Sequence, residues 1–76
     1  MWLKVNDYAL YWDATHHTGT VLLELENDSQ GKIRHLSKTE LVALGDLFRN
    51  EPLVWYHSVR GDLSTEKHPV DDEEVV

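Results

Sequence analysis

The sequence predicts an α+β fold: an antiparallel β-sheet of four to six strands with one amphipathic helix (about Ser37–Arg49) packed on one face, in the order ββββαβ(β). Three observations carry that prediction. One segment has helix start and stop signals at its two ends. Much of the remaining chain alternates its side chains with a period of two, and clusters of turn-forming residues separate those stretches.

Met1–Val5 is apolar and β-compatible, and Asn6-Asp7 predicts a turn. Tyr8–Asp13 predicts a strand with Tyr8, Leu10 and Trp12 on one face and Ala9 and Tyr11 on the other, because successive strand side chains point to opposite sides. His16-His17-Thr18-Gly19 connects it to a third strand, Thr20–Glu26. There Val21, Leu23 and Leu25 share one side, and Thr20, Leu22, Glu24 and Glu26 share the other. Asn27-Asp28-Ser29-Gln30-Gly31 is the strongest turn signal in the chain, and a fourth strand, Lys32–Leu36, runs from it into the helix.

At the helix start, Ser37 can accept from free N–H groups of the first turn while Glu40 reaches back to the N–H of the cap. Leu36 and Leu41 occupy the positions of a hydrophobic staple. Leu41, Leu44, Leu47 and Phe48 form one stripe, suited to a helix lying on a sheet. Gly45 sits at the edge of that stripe at a cost of about 1 kcal/mol relative to Ala, either tolerated or compensated by close approach of another backbone. Asn50 is expected in a left-handed position after the helix, and Pro52 prevents its continuation. Beyond it, Leu53–Ser58 predicts a strand with Leu53, Trp55 and His57 opposite Val54 and Tyr56. Arg60-Gly61-Asp62 then turns the chain into a short last strand, Leu63–Thr65.

Residues 1–65 are thus expected to form a single domain, and 66–76 an acidic, flexible tail. The whole chain carries a net charge of −7 over 76 residues. The tail contributes −4 of this, from five carboxylates against Lys67, and the domain −3, from nine acidic and six basic side chains. A balance of this sign is poorly suited to duplex nucleic acid or to an anionic membrane surface, both of which are bound through clustered Lys and Arg. With no cysteine, neither a disulfide nor a thiolate metal site can reinforce a domain this small. No stretch has the apolar length of a signal peptide core or a membrane span, so a cytoplasmic location is expected.

The chain predicts no catalytic site, cofactor or metal. Its five histidines lie on separate elements or side by side without metal-ligand spacing, and His16 and His17 with Asp13 form the trio to inspect. Ser58 neighbours His57, but adjacent strand residues face opposite ways, and no nucleophile elbow or phosphate loop is present.

One helix covers one face of a sheet, yet Tyr8-Ala9-Leu10-Tyr11-Trp12 and Val21-Leu22-Leu23 are apolar on both sides. Either the sheet curls or a second copy covers the other face. The expected function is therefore a small noncatalytic protein-interaction or regulatory module that self-associates, with a dimer favoured and a further protein partner allowed. Tyr11, Leu22, Trp55 and His57 are its candidate contact residues. The alternative is a single-stranded nucleic-acid-binding protein stacking bases on sheet aromatics, with Arg34, Trp55 and Arg60 as contacts. The order of four antiparallel strands and a helix is similar to that of Whirly-type single-strand binders, an analogy at the level of fold.

Overall fold

A computed structural model describes residues 1–66; the acidic stretch expected to form a tail lies, apart from Glu66, outside the described residues. Three strands precede the helix and two follow it: β1 (Trp2–Asp13), β2 (Thr18–Leu25), β3 (Gln30–Leu36), α1 (Lys38–Asn50), β4 (Trp55–His57) and β5 (Leu63–Ser64). All pairings are antiparallel, in the spatial order β3-β2-β1-β4-β5, with α1 packed on the sheet. The fold is α+β as expected, but the order is β-β-β-α-β-β rather than one with four strands before the helix, so the likeness in order to Whirly-type proteins lapses.

The missing turn accounts for the difference. At Asn6-Asp7 the chain makes a β-bulge instead: Val5 pairs with Leu25 and Asp7 with Glu24, leaving Asn6 as the extra residue. A bulge shifts the alternation by one. Leu3 and Val5 before it and Tyr8, Leu10 and Trp12 after it therefore face the same side of a single strand of 12 residues. A turn here would have ended the strand; the bulge keeps it going while correcting the phase of its apolar residues.

A second bulge performs the same correction on β3. Val21 pairs with Ile33 and Gly19 with Leu36, so Thr20 faces both Arg34 and His35. His35 takes a left-handed conformation, with φ 60°. Leu36 is thereby turned inward just before the helix. There it packs against the core to which Leu41 belongs, as a hydrophobic staple requires.

The helix starts as its sequence specifies. Ser37 Oγ accepts from the Glu40 N–H at 3.1 Å, and Glu40 Oε1 accepts from the Ser37 N–H at 2.8 Å. Its end differs from expectation. Asn50 remains helical, and Glu51 is the C-cap in an extended conformation (φ −102°), its N–H donating to Leu47 O at 2.9 Å. An extended residue before Pro52 satisfies the proline's steric demand without a left-handed position. The strand expected over Leu53–Ser58 shortens to three paired residues.

The core answers which faces point inward. Val21, Leu23 and Leu25 of β2 are buried, with Leu3, Leu41, Phe48, Val54 and Tyr56 around them. Tyr8 stacks on Phe48 of the helix at 4.8 Å. The Gly45 backbone lies against Leu10, so that a methyl group there would stand 3.0 Å from Leu10 Cδ1. A corresponding methyl group on Gly31 of β3 would stand only 2.8 Å from Tyr56 Cε2 of β4. In a flat sheet those strands would be about 14 Å apart, three spacings of about 4.8 Å. The sheet therefore curls around its core, and curl and helix together cover the inner face except toward the far end of β1, where Tyr8, Leu10 and Trp12 stay 37–47% exposed.

Candidate interaction surface

The outer face carries the residues of opposite parity. Across β1 and β2, Ala9 stands opposite Leu22, Tyr11 opposite Thr20 and Asp7 opposite Glu24; Lys32 of β3 follows opposite Leu22. Tyr11 and Leu22 are 59% and 41% exposed, and Ala9 is exposed beside them. Asp7, Ala9, Leu22, Glu24, Gln30 and Lys32 are among the residues lining a groove of about 420 Å³. Its apolar centre is ringed by two carboxylates and one ammonium, a mixed environment unlike the basic lining that phosphate recognition uses.

The four expected contact residues fall into two groups. Tyr11 and Leu22 are diagonal neighbours on the outer face of β1 and β2. Trp55 and His57 belong to β4, on the other part of the sheet, where they pair with Lys4 and Trp2. His57 is buried there. Its ring meets that of Trp2 edge-on at 5.1 Å, and Nδ1 accepts from the N–H groups of Val59 (3.3 Å) and Arg60 (3.1 Å). The same residue's backbone receives Gly61 N–H and donates to Asp62 O, each at 2.8 Å. His57 thus organises the turn between β4 and β5.

The residues of the nucleic-acid alternative lie on three different segments. Arg34 lies on β3, and Trp55 lies on β4 with β2 and β1 between them. Arg60 sits over the Trp2 ring at 5.6 Å and pairs with Asp62 at 3.1 Å.

The trio at the β1–β2 turn is an Asx turn. Asp13 Oδ1 accepts from the N–H groups of Thr15 (3.0 Å) and His16 (3.2 Å), and Oδ2 meets His16 Nδ1 at 2.8 Å. The side-chain bond to His16 and then its backbone N–H hold the Asp13 carboxyl below its usual value of 3.8. His17 turns away with φ 55°, its ring against Trp12. Among the described residues no three His, Asp or Glu side chains converge as metal ligands, and no helix is long and apolar enough to cross a membrane.

A feature that residue patterns do not reveal is the unequal length of the paired strands. β4 pairs with β1 only at Trp2, Leu3 and Lys4, and Val54 O takes the Val5 N–H at 2.9 Å. From Tyr8 to Asp13, β1 pairs with β2 alone among the described residues. Leu10 and Trp12, which share the inner face with Tyr8, flank this open edge at 47% and 37% exposure. Comparison with protein-family models, curated proteins and solved structures finds no match to this chain.

Proposed function

We propose that this protein is a noncatalytic interaction module that self-associates through the sheet surface its helix leaves uncovered, with a dimer as the favoured state. The observation that carries this reading is the apolar patch of Ala9, Tyr11 and Leu22 on the outer face. A solvated face of an antiparallel sheet is normally polar, and contiguous exposed apolar residues mark contact sites. The small size of the domain points the same way, since a chain of this length gains stability from assembly.

The noncatalytic part is supported by the occupations of the polar side chains. His57 Nδ1 is engaged by backbone N–H groups, Asp13 by its turn, and Arg60 by Asp62 and Trp2. A cytoplasmic setting belongs to the same reading, in keeping with a chain without cysteine. Sedimentation at micromolar concentration tests the proposal: the expected species has twice the monomer mass, and a strict monomer would overturn it.

A further inference from the structure

Resting on the self-association proposed above, we propose that the second copy joins beside the outer-face patch, at the open edge of β1, paired antiparallel with its own β1 edge about a two-fold axis at Tyr11, so that the patch continues across the axis from one copy to the other. An unpaired strand edge is a template for another strand, and proteins that stay monomeric blunt such edges with charge, proline or a bulge. Residues 8–12 carry none of these: Tyr-Ala-Leu-Tyr-Trp is uncharged, continuous and β-prone. The bulge of this strand lies before Tyr8, on the stretch flanked by Val54.

The occupant is a second copy because the edge is self-complementary, and the register that keeps most of it paired is centred on Tyr11; centring on Trp12 would set Leu10 against Ala14, where the turn begins. A two-fold axis normal to the sheet keeps inner faces together, so residues of the same parity must oppose one another. Centring on Ala9 would bring the partner's Asp13 to Val5, whose N–H already belongs to Val54. Centring on Leu10 sets Asp7 against the partner's Asp13 twice over, and like charges directly opposite are destabilising. Centring on Tyr11 avoids both conflicts. It pairs Tyr11 with Tyr11, Leu10 with Trp12, and Asp13 with Ala9, whose small side chain leaves room for the Asp13–His16 pair. That ladder stops before the turn that begins at Ala14.

Leu10, Tyr11 and Trp12, the large residues within this ladder, are 47%, 59% and 37% exposed. Opposed side chains of an antiparallel pair have Cβ atoms about 4.5–5.5 Å apart, so Tyr11 meets its counterpart on the outer face and Leu10 meets Trp12 on the inner one.

The cysteine-free chain permits a direct test. Single substitutions Tyr11→Cys, Leu10→Cys and Leu22→Cys are oxidised mildly at micromolar concentration and separated without reductant. Directly opposed strand residues have Cα atoms about 4.5–5.5 Å apart, within disulfide reach. The expected result is a covalent dimer for Tyr11→Cys, formed at least about tenfold faster than for the other two. Fastest cross-linking at Leu10→Cys would overturn the register. Fastest cross-linking at Leu22→Cys would overturn the edge pairing while leaving self-association through the outer face intact. A monomer by sedimentation would overturn both. Hydrogen exchange on the unsubstituted protein guards against a variant that dissociates. Alternate amides of residues 9–13, those facing the open edge, should slow with rising protein concentration, and a dimer in which they exchange freely would overturn the edge pairing.

Discussion

Adding one methyl group at Gly31 and at Gly45 should shift stability in opposite directions. Gly45→Ala removes the penalty of glycine in a helix interior, a gain of about 1 kcal/mol. The new Cβ stands 3.0 Å from Leu10 Cδ1, the end of a flexible side chain that is 47% exposed and can rotate toward solvent. Most of the gain should survive, about 0.5–1 kcal/mol, which in a domain of this size raises Tm by about 3–6 °C. Gly31→Ala places its Cβ 2.8, 3.0 and 3.3 Å from three atoms of the Tyr56 ring. That ring is rigid and 8% exposed, and it closes the core across the curled sheet. Overpacking of this kind costs about 1–3 kcal/mol, set against about 0.5–1 kcal/mol gained on replacing a strand glycine. Three ring atoms at 3.3 Å or less put the cost in the upper part of that range, about 2–3 kcal/mol, so a net loss of about 1–2.5 kcal/mol, or a fall in Tm of about 5–15 °C, follows. Thermal unfolding at one fixed protein concentration measures both, since association shifts Tm by mass action. In a Tyr56→Leu background the cost of Gly31→Ala should largely vanish, because the side chains that collide are coupled. A neutral Gly31→Ala, or a cost unchanged by Tyr56→Leu, would refute the curl that brings β3 against β4.

Two further predictions concern the ends of elements. Ser37→Ala removes the acceptor for the Glu40 N–H and should cost about 1 kcal/mol, seen as a lower denaturation midpoint with an unchanged slope; an unchanged midpoint would refute the capping box as a source of stability. At the β1–β2 turn, the folded carboxyl of Asp13 is held below its usual 3.8, so its contribution is present above the unfolded value and is lost as pH falls through the lowered folded one. The Thr15 and His16 amide signals should therefore titrate below the ordinary aspartate range and cease to do so in Asp13→Asn; titration at or above that range would refute the pairing.

The helix was legible because its determinants are local: cap, staple, stripe and Pro52 lie within a short stretch of chain, and only the C-terminal residue geometry departed from expectation. The strand faces were legible as alternation, but their connectivity was not. Asn6-Asp7 has the composition of a turn, and what makes it a bulge is that Leu25 and Glu24 of β2 continue to pair on either side of it. One clue was available in the residues. The apolar parity changes from Leu3 and Val5 to Tyr8, Leu10 and Trp12, and only an extra residue within one strand reconciles the two sets on a single face. Of the candidate contacts, Tyr11 and Leu22 could be read as belonging to strands apolar on both sides, but which face the helix covers, and so that both lie outside, comes from the pairing of β1 with β2. His57 could not be separated from them by pattern, because its ring packs against Trp2 at the other end of the chain, a nonlocal contact.

The bulge at Asn6 links the closed core to the open edge. Because β1 continues through it, one strand serves two pairings: its first residues hold β4, and the rest hold β2. β4 is only three residues long, and it follows the extended segment that bonds to Val5. It therefore cannot reach the part of β1 beyond the bulge. The same geometry that lets Tyr56 fold back over Gly31 thus leaves Tyr8–Asp13 without a second neighbour among the described residues. Here the apolar residues on both faces of the open stretch make a strand of the same kind its best chemical match, and the register that avoids opposing Asp7 and Asp13 is one that a second copy can supply.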